Sequence, residues 1–278
     1  MKILGGNQVV FYASKAGTYE EQLSDCLVQL EEYMDANQIY PGSFIRHNIF
    51  VDVADQAKFT SVVPKLKILA KRRFPMPLII NVIPNSPADG TVALESTHLK
   101  STQWNCLFKE SKNGSCQHII HAKKEVVIGS VQIDSKHDFQ TSVENAFTQI
   151  DELLSLCSMG FENIIKQWNY IGRMFDDELK VQRYQIFNDV RTKYYDNDFA
   201  KTGYPASTEV GMKSDGIIIE FFAIKKADEV SKAINSPLQK APHEYSSEVL
   251  SKRGVFSISN PTTPKVERAR FLTLNDLN

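Results

Sequence analysis

The chain has 278 residues, of which 42% are hydrophobic and 23% charged, enough to build one large or two ordinary cores and too apolar for a disordered or fibrous chain. Lys and Arg total 32 against 33 Asp and Glu, net −1, so no overall positive field draws in nucleic acid or anionic lipid. Apolar runs such as Met76 to Ile83 are too short to span a bilayer, and the start MKILGGNQ lacks a signal-peptide core; a cytoplasmic protein with no membrane or nucleic-acid partner is expected.

In chain order, Val9 to Ala13 is an apolar strand run, and Tyr19 to Asn37 carries apolar residues at helical spacing. Ile45, His47, Ile49 and Val51 alternate along a strand. Gln56 to Arg73 reads as a second helix, whose closing Lys71-Arg72-Arg73 complements the helix dipole and is not read as an RNA patch. Strands at Leu78 to Ile83 and Thr91 to Leu94 follow. Asn113-Gly114 is a two-residue hairpin signal, read as a turn although it also begins a sequon. Such a turn sets Cys116 opposite Ser111 and Cys106 opposite His121, so these two thiols do not face each other. The four cysteines contain no CxxC pair, and His118 and His121 fall on opposite faces of a strand, so no metal or cofactor is expected. Then come a strand at Glu125 to Ile133, a helix at Asp138 to Cys157, a strand at Ile164 to Tyr170, a helix at Asp176 to Asn197, and strands at Ser207 to Met212 and Gly216 to Ile224.

The two series are related. Gln29-Leu30-Glu31-Glu32 and Gln149-Ile150-Asp151-Glu152 are offset by 120, as are Phe44-Ile45-Arg46 and Ile164-Ile165-Lys166. The offset becomes 130 at Phe74-Pro75 over Tyr204-Pro205, then 125 at Val92-Ala93-Leu94-Glu95 over Ile217-Ile218-Ile219-Glu220. The expected fold is α+β: two tandem units, each a sheet with two helices packed on one face. The uncovered faces must pack on something, so domain pairing or oligomerisation follows.

Val127 to Gln149, Glu162 to Lys166, Tyr204-Pro205-Ala206 and Ile219-Glu220-Phe221-Phe222-Ala223-Ile224 resemble the RidA/YjgF superfamily. Trp168-Asn169-Tyr170, Arg183-Tyr184-x-x-Phe187-Asn188-x-x-Arg191, Tyr204 to Gly211 and Glu267-Arg268-Ala269 are similar to the chorismatases, enzymes that hydrolyse the enolpyruvyl ether of chorismate. The resemblance implies tandem RidA/chorismate-mutase-like units at 1–100 and 101–230, with 231–278 as a wrapping tail. It also implies a trimer or another homo-oligomer. Deaminases of the superfamily carry an arginine where this chain has Ser207, and in the first half Pro77; their late-strand glutamate falls on Phe222. An imino acid needs a bidentate cation for its carboxylate, so deamination is disfavoured.

Chorismatases place a catalytic RidA-like unit after the second-half motifs, whereas this chain has one in front. The resemblance therefore implies a permuted order, with Ala269 to Leu274 completing the first sheet and Glu95 matching the glutamate that protonates the substrate. The Cys/Ala-Arg pair preceding that glutamate falls near Pro84-Asn85, and its arginine is missing.

Protonating a vinyl carbon needs a carboxylic acid whose pKa burial has raised. Glu95 and Glu220 are the candidates; Glu220, inside the apolar run Ile217 to Ile224, must be paired, with Arg191 as one possible partner. Arg191, Arg268, Tyr184 and Tyr245 are candidate anchors for a small-molecule carboxylate, with Ser207 at the deaminase-arginine position. Arg183 is expected to be solvated and Arg191 packed; Trp168 and Tyr170 share a strand face and read as core. Two functions remain open: hydrolysis of a chorismate-like enol ether, and non-catalytic binding of a small metabolite.

Overall fold

The computed structural model describes residues 6–99, 104–121, 124–134, 138–178, 180–195 and 205–226. The first half forms β1 (Gly6–Tyr12), α1 (Tyr19–Asn37), β2 (Phe44–Val51), α2 (Gln56–Arg73), β3 (Ile79–Ile83) and β4 (Val92–Leu99). The second forms β5 (Asn105–Glu110), β6 (Gly114–His121), β7 (Lys124–Ile133), α3 (Phe139–Leu156), β8 (Ile164–Gly172), β9 (Asp177–Glu178), β10 (Val181–Gln182), α4 (Arg183–Tyr195), β11 (Ala206–Met212) and β12 (Ile217–Lys226).

Local chemistry sets the helix starts. Thr18 accepts the Glu21 backbone N–H, and the Glu21 carboxylate accepts that of Thr18, a reciprocal cap at α1. Asp55 and Asp138 cap α2 and α3 through Lys58 N–H and Thr141 N–H. The caps Thr18 and Asp138, the left-handed residues Gln38 and Ser158, and the strand starts Phe44 and Ile164 are each 120 apart.

The first sheet has the order β1-β4-β2-β3, and the same order recurs in the second as β7-β12-β8-β11, extended at the β7 edge by β6 and β5. In both sheets the strand after the first helix pairs in parallel with the strand after the second helix. Leu23, Leu27 and Leu30 of α1 and Phe59, Val62 and Leu66 of α2 bury against Ile49, Val82 and Leu94. Phe147, Ile150 and Leu153 of α3 and Phe187 and Val190 of α4 cover Val131, Ile219 and Phe221. Each fully buried side chain of this size contributes roughly 1.5–3 kcal/mol. The protein is thus α+β, each sheet carrying two helices on one face.

The helix-free faces pack against each other within the chain. Ile45, Ile79 and Leu99 of the first sheet cluster with Ile119, Val126, Ile128, Phe222 and Ile224 of the second. Further along this seam, Ile83 meets Tyr170, Met212 and Ile218. No helix among the described residues is long and apolar enough to cross a membrane.

Three local expectations change. α4 begins at Arg183, not Asp176, because Asp177–Glu178 and Val181–Gln182 pair as a small hairpin. Its Glu178 carboxylate accepts from Phe139 N–H at 2.9 Å and Arg183 Nε at 3.0 Å, which pulls the segment away from helix. β4 runs on to Leu99, well past Leu94. The β5–β6 register differs from a two-residue Asn113-Gly114 turn: Cys116 pairs with Lys109 and Cys106 with Ile119. Gly114 serves packing, since a Cβ there would lie 2.8 Å from Ser130 O and from Val131 Cγ2. The thiols of Cys106 and Cys116 still do not face one another.

Candidate functional site

Strand alternation aims a polar set into the otherwise apolar seam. On β2, Arg46 and Asn48 point away from α1 and α2; Asn81 of β3 and Glu95 and Thr97 of β4 share that face. From the second sheet comes Glu220 of β12, between Ile218 and Phe222. One Arg46 nitrogen donates to Glu220 Oε1 at 3.0 Å; the other donates to Glu95 Oε1 at 3.0 Å and to Thr97 Oγ1 at 3.4 Å. Asn48 Nδ2 donates to Glu95 Oε1 and Glu220 Oε2, both at 3.1 Å, and Asn81 Nδ2 donates to Glu220 Oε1 at 3.1 Å.

The side chain of Glu220 is 3% exposed and that of Glu95 16%. Burial pushes the Glu220 carboxyl above its usual range, opposed by Arg46 and reinforced by the charge of Glu95. Burial works against the charge on Arg46, but Glu220 and Glu95 outweigh it and hold the guanidinium above its ordinary pKa. Burial, followed by the two carboxylates, pushes the Tyr170 phenol up. Lys166 Nζ stands 4.3 Å and the Arg46 guanidinium 5.9 Å from the Trp168 ring centroid. Beside Glu95 in register is Val10 of β1, 46% exposed, so the seam reaches the surface at the Glu95 end.

The two predicted acids therefore meet, on a single guanidinium. The partner of Glu220 is Arg46, not Arg191. Arg46 was absent from the sequence-derived site, although a cation within the apolar alternation Phe44 to Val51 is a signal of buried pairing.

Arg191, Ser207 and Tyr184 gather elsewhere. Arg191 donates to Glu209 Oε1 at 2.9 Å, Ser207 Oγ at 3.1 Å and Asn188 Oδ1 at 2.6 Å, with its guanidinium 5.1 Å from the Phe187 ring. Ser207 donates to Glu209 and accepts from Asn169 Nδ2 at 3.0 Å. Burial, then the charge of Glu209, raises the Tyr184 phenol. This cluster lies on the α4 side of the second sheet, because Asn169 alternates with Trp168 and Tyr170 along β8. The sheet itself separates these anchors from the acids. Arg191 is packed, as expected. Arg183 is buried, not solvated: Glu178, Asp215 and the Gly172 carbonyl accept from it, and Phe139 lies beneath it. Tyr245, Arg268 and the strand expected at Ala269 to Leu274 lie outside the described residues.

At the far end of the seam, where β3, β8 and β11 finish, a cleft of about 330 Å³ opens between the halves. Asn85 and Ser86 line it from the first half; Arg173, Phe175, Asp176 and Lys213 line it from the second. None of these residues was singled out from the sequence as binding, since their chemistry depends on the ends of three strands meeting.

Residues 104–223 match the family of chorismatase FkbO/Hyg5-like N-terminal domains. Among solved structures, a chorismatase is similar at 12% identity and TM-score 0.47, covering 79% of this chain. The chain spans about half of that chorismatase, 54% of its length. The YjgF gene product of E. coli is similar at 15% identity and TM-score 0.30, covering 43% of this chain and 86% of that one. Rv2704 of Mycobacterium tuberculosis, a member of the YjgF/YER057c/UK114 family, is similar at 14% identity and TM-score 0.29, covering 38% and 82%. No curated protein sequence matches the chain. Residues 104–223 are thus similar to the N-terminal domain of FkbO/Hyg5-like chorismatases.

Proposed function

We propose that the protein binds a small carboxylate metabolite where its two sheets meet and does not hydrolyse an enol ether. The observation that carries the negative half is the commitment of both candidate acids to Arg46: Glu220 also holds Asn48 and Asn81, and Glu95 also holds Asn48. A general acid must reach the substrate carbon with its proton; Glu220, 3% exposed, is sealed in the network, and Glu95 is held through its Oε1 by Arg46 and Asn48. The positive half is supported by the cleft between the halves and by the family of residues 104–223, whose named enzymes act on a cyclic carboxylate.

The test incubates the full chain with chorismate and follows pyruvate release and, in parallel, saturable binding by calorimetry. The expected result is no pyruvate release, with saturable binding of at least one small carboxylate when neutral amino acids are titrated beside chorismate. A second reading, enol-ether hydrolysis with Glu95 as acid, is favoured by the greater exposure of Glu95, 16% against 3% for Glu220. Pyruvate release abolished by Glu95→Gln would establish it and overturn the first reading. We further propose a homo-oligomer, supported by the apolar surface that Val10 and Tyr12 leave on β1 at 46% and 39% exposure; the preference for a trimer rests on the resemblance to RidA-like proteins alone. Light scattering after size exclusion checks this; a monomer refutes it.

A further inference from the structure

We propose that the cleft at the end of the seam is a binding site for a small zwitterion with an apolar side chain, an α-amino acid of the aromatic or branched aliphatic class. The proposal rests on the reading of the protein as a small-carboxylate binder and adds the place and the ligand class.

The cleft, about 330 Å³, falls at the small end of the range for ligand pockets, roughly 300–1,000 Å³. Three charged side chains line it: Arg173, Lys213 and Asp176. Arg173 is fixed by its Nε, which donates to Asp215 Oδ1 at 2.7 Å, while its terminal nitrogen lies 3.7 Å from Asp176 Oδ2, beyond hydrogen-bond length. Its planar fork thus keeps donors directed at the cleft. Lys213 Nζ lies 3.0 Å from Asp52 Oδ1, which also accepts from Ser86 Oγ at 2.6 Å. Asp176 is more than half exposed.

This balance of charge selects the ligand. A simple anion would meet two cations already facing Asp215 and Asp52, and would be repelled by Asp176. An amine would meet the two cations. A zwitterion places its carboxylate on Arg173 and Lys213 and its ammonium on Asp176, so all three charges are answered. Phe175, 55% exposed, and the neighbouring Met174 and Met212 supply an apolar wall for the side chain.

The backbone holds this arrangement in place. Arg173 adopts φ 46°, left-handed for a residue with a Cβ. It is kept there by its N–H to Met212 O at 2.9 Å and by Asp176 N–H to its own carbonyl at 2.9 Å. The first bond ties the β8 and β11 ends together, the second closes the turn from Arg173 to Asp176, and the guanidinium is held beside Asp215 by its Nε.

Calorimetry on the full chain with L-phenylalanine, L-leucine, 3-phenylpropionate, phenethylamine and chorismate tests the proposal. At least one of the two amino acids is expected to bind at least about tenfold more tightly than phenylpropionate or phenethylamine. Lys213→Ala, Asp176→Asn and Phe175→Ala should each weaken that binding by about tenfold with no change in melting temperature, since all three side chains are largely exposed. Phenylpropionate binding as tightly as both amino acids overturns the ligand class. Amino-acid binding that all three variants leave unchanged overturns the location while the carboxylate-binding reading stands. Binding of chorismate alone refutes the zwitterion proposal, and binding of no compound refutes both.

Discussion

Arg46 on β2 and Glu220 on β12, 174 residues apart in the chain, meet at 3.0 Å in the middle of the seam between the two sheets. Removing the cation leaves a carboxylate that is 3% exposed with two amides and no counter-charge. Arg46→Met is therefore expected to cost about 3–5 kcal/mol in urea unfolding, and Glu220→Gln in the same chain should recover part of it. Equal stabilities for the wild type and Arg46→Met would refute the pairing as a structural element.

Arg191 is held by Glu209, Ser207 and Asn188 on the α4 side of the second sheet. Arg191→Ala is expected to lower stability by roughly 1–2 kcal/mol and to leave carboxylate affinity unchanged. A large loss of affinity with stability intact would restore Arg191 as a ligand anchor.

His47 is fully buried beside Phe44 and Phe74, with ring centroids 5.5 and 4.8 Å away. Burial lowers its pKa from 6.5 to about 4, opposed by a backbone hydrogen bond at Arg46. Between those two values the unfolded chain binds a proton that the folded chain does not, so stability falls as pH drops from 6.5 toward 4, by up to about 3 kcal/mol from this group. His47→Leu should flatten that part of the curve; chemical denaturation at several pH values between 7 and 4 reads it, and an unchanged slope refutes the assignment.

Cys116 on β6 and Cys157 at the end of α3 bring their sulfurs to 3.8 Å in the core. The hydrogen bond from Cys116 lowers the Cys157 thiol below its ordinary pKa. Treatment with the thiol oxidant diamide should join them, each thiol giving up one hydrogen to the oxidant, with a mass loss of about 2 Da that Cys157→Ser prevents. Peptide mapping under non-reducing conditions identifies the bond; a link through Cys106 instead would contradict the geometry.

Much of the first half was legible because its signals are local. Tyr19–Asn37 and Gln56–Arg73 match their periodicity end to end, since each has a cap immediately before it, Thr18 or Asp55. The start of α4 was not legible: helical spacing runs back through Asp176, and the force that opposes it, Glu178 bridging Phe139 and Arg183, comes from 39 residues upstream and from the next helix. The β5–β6 turn was misplaced because Asn113-Gly114 carries a strong turn signal, whereas Gly114 is required by the close approach of Ser130 and Val131 on β7. Both acids were visible as charges in apolar strands. That they share one arginine was not, because alternation gives the face of a strand and says nothing of which face opposes it.

The Arg46 network makes the two halves obligate companions. A fragment ending near β4 would leave Arg46 without Glu220 on an uncovered sheet, and a fragment beginning at β5 would present Ile128, Phe222 and Ile224 to water around an unanswered carboxylate. Severing the chain between the sheets is therefore expected to give two insoluble pieces that recover only when produced together. A change at Arg46 is therefore expected to call for a compensating change at Glu220, on the other half of the chain.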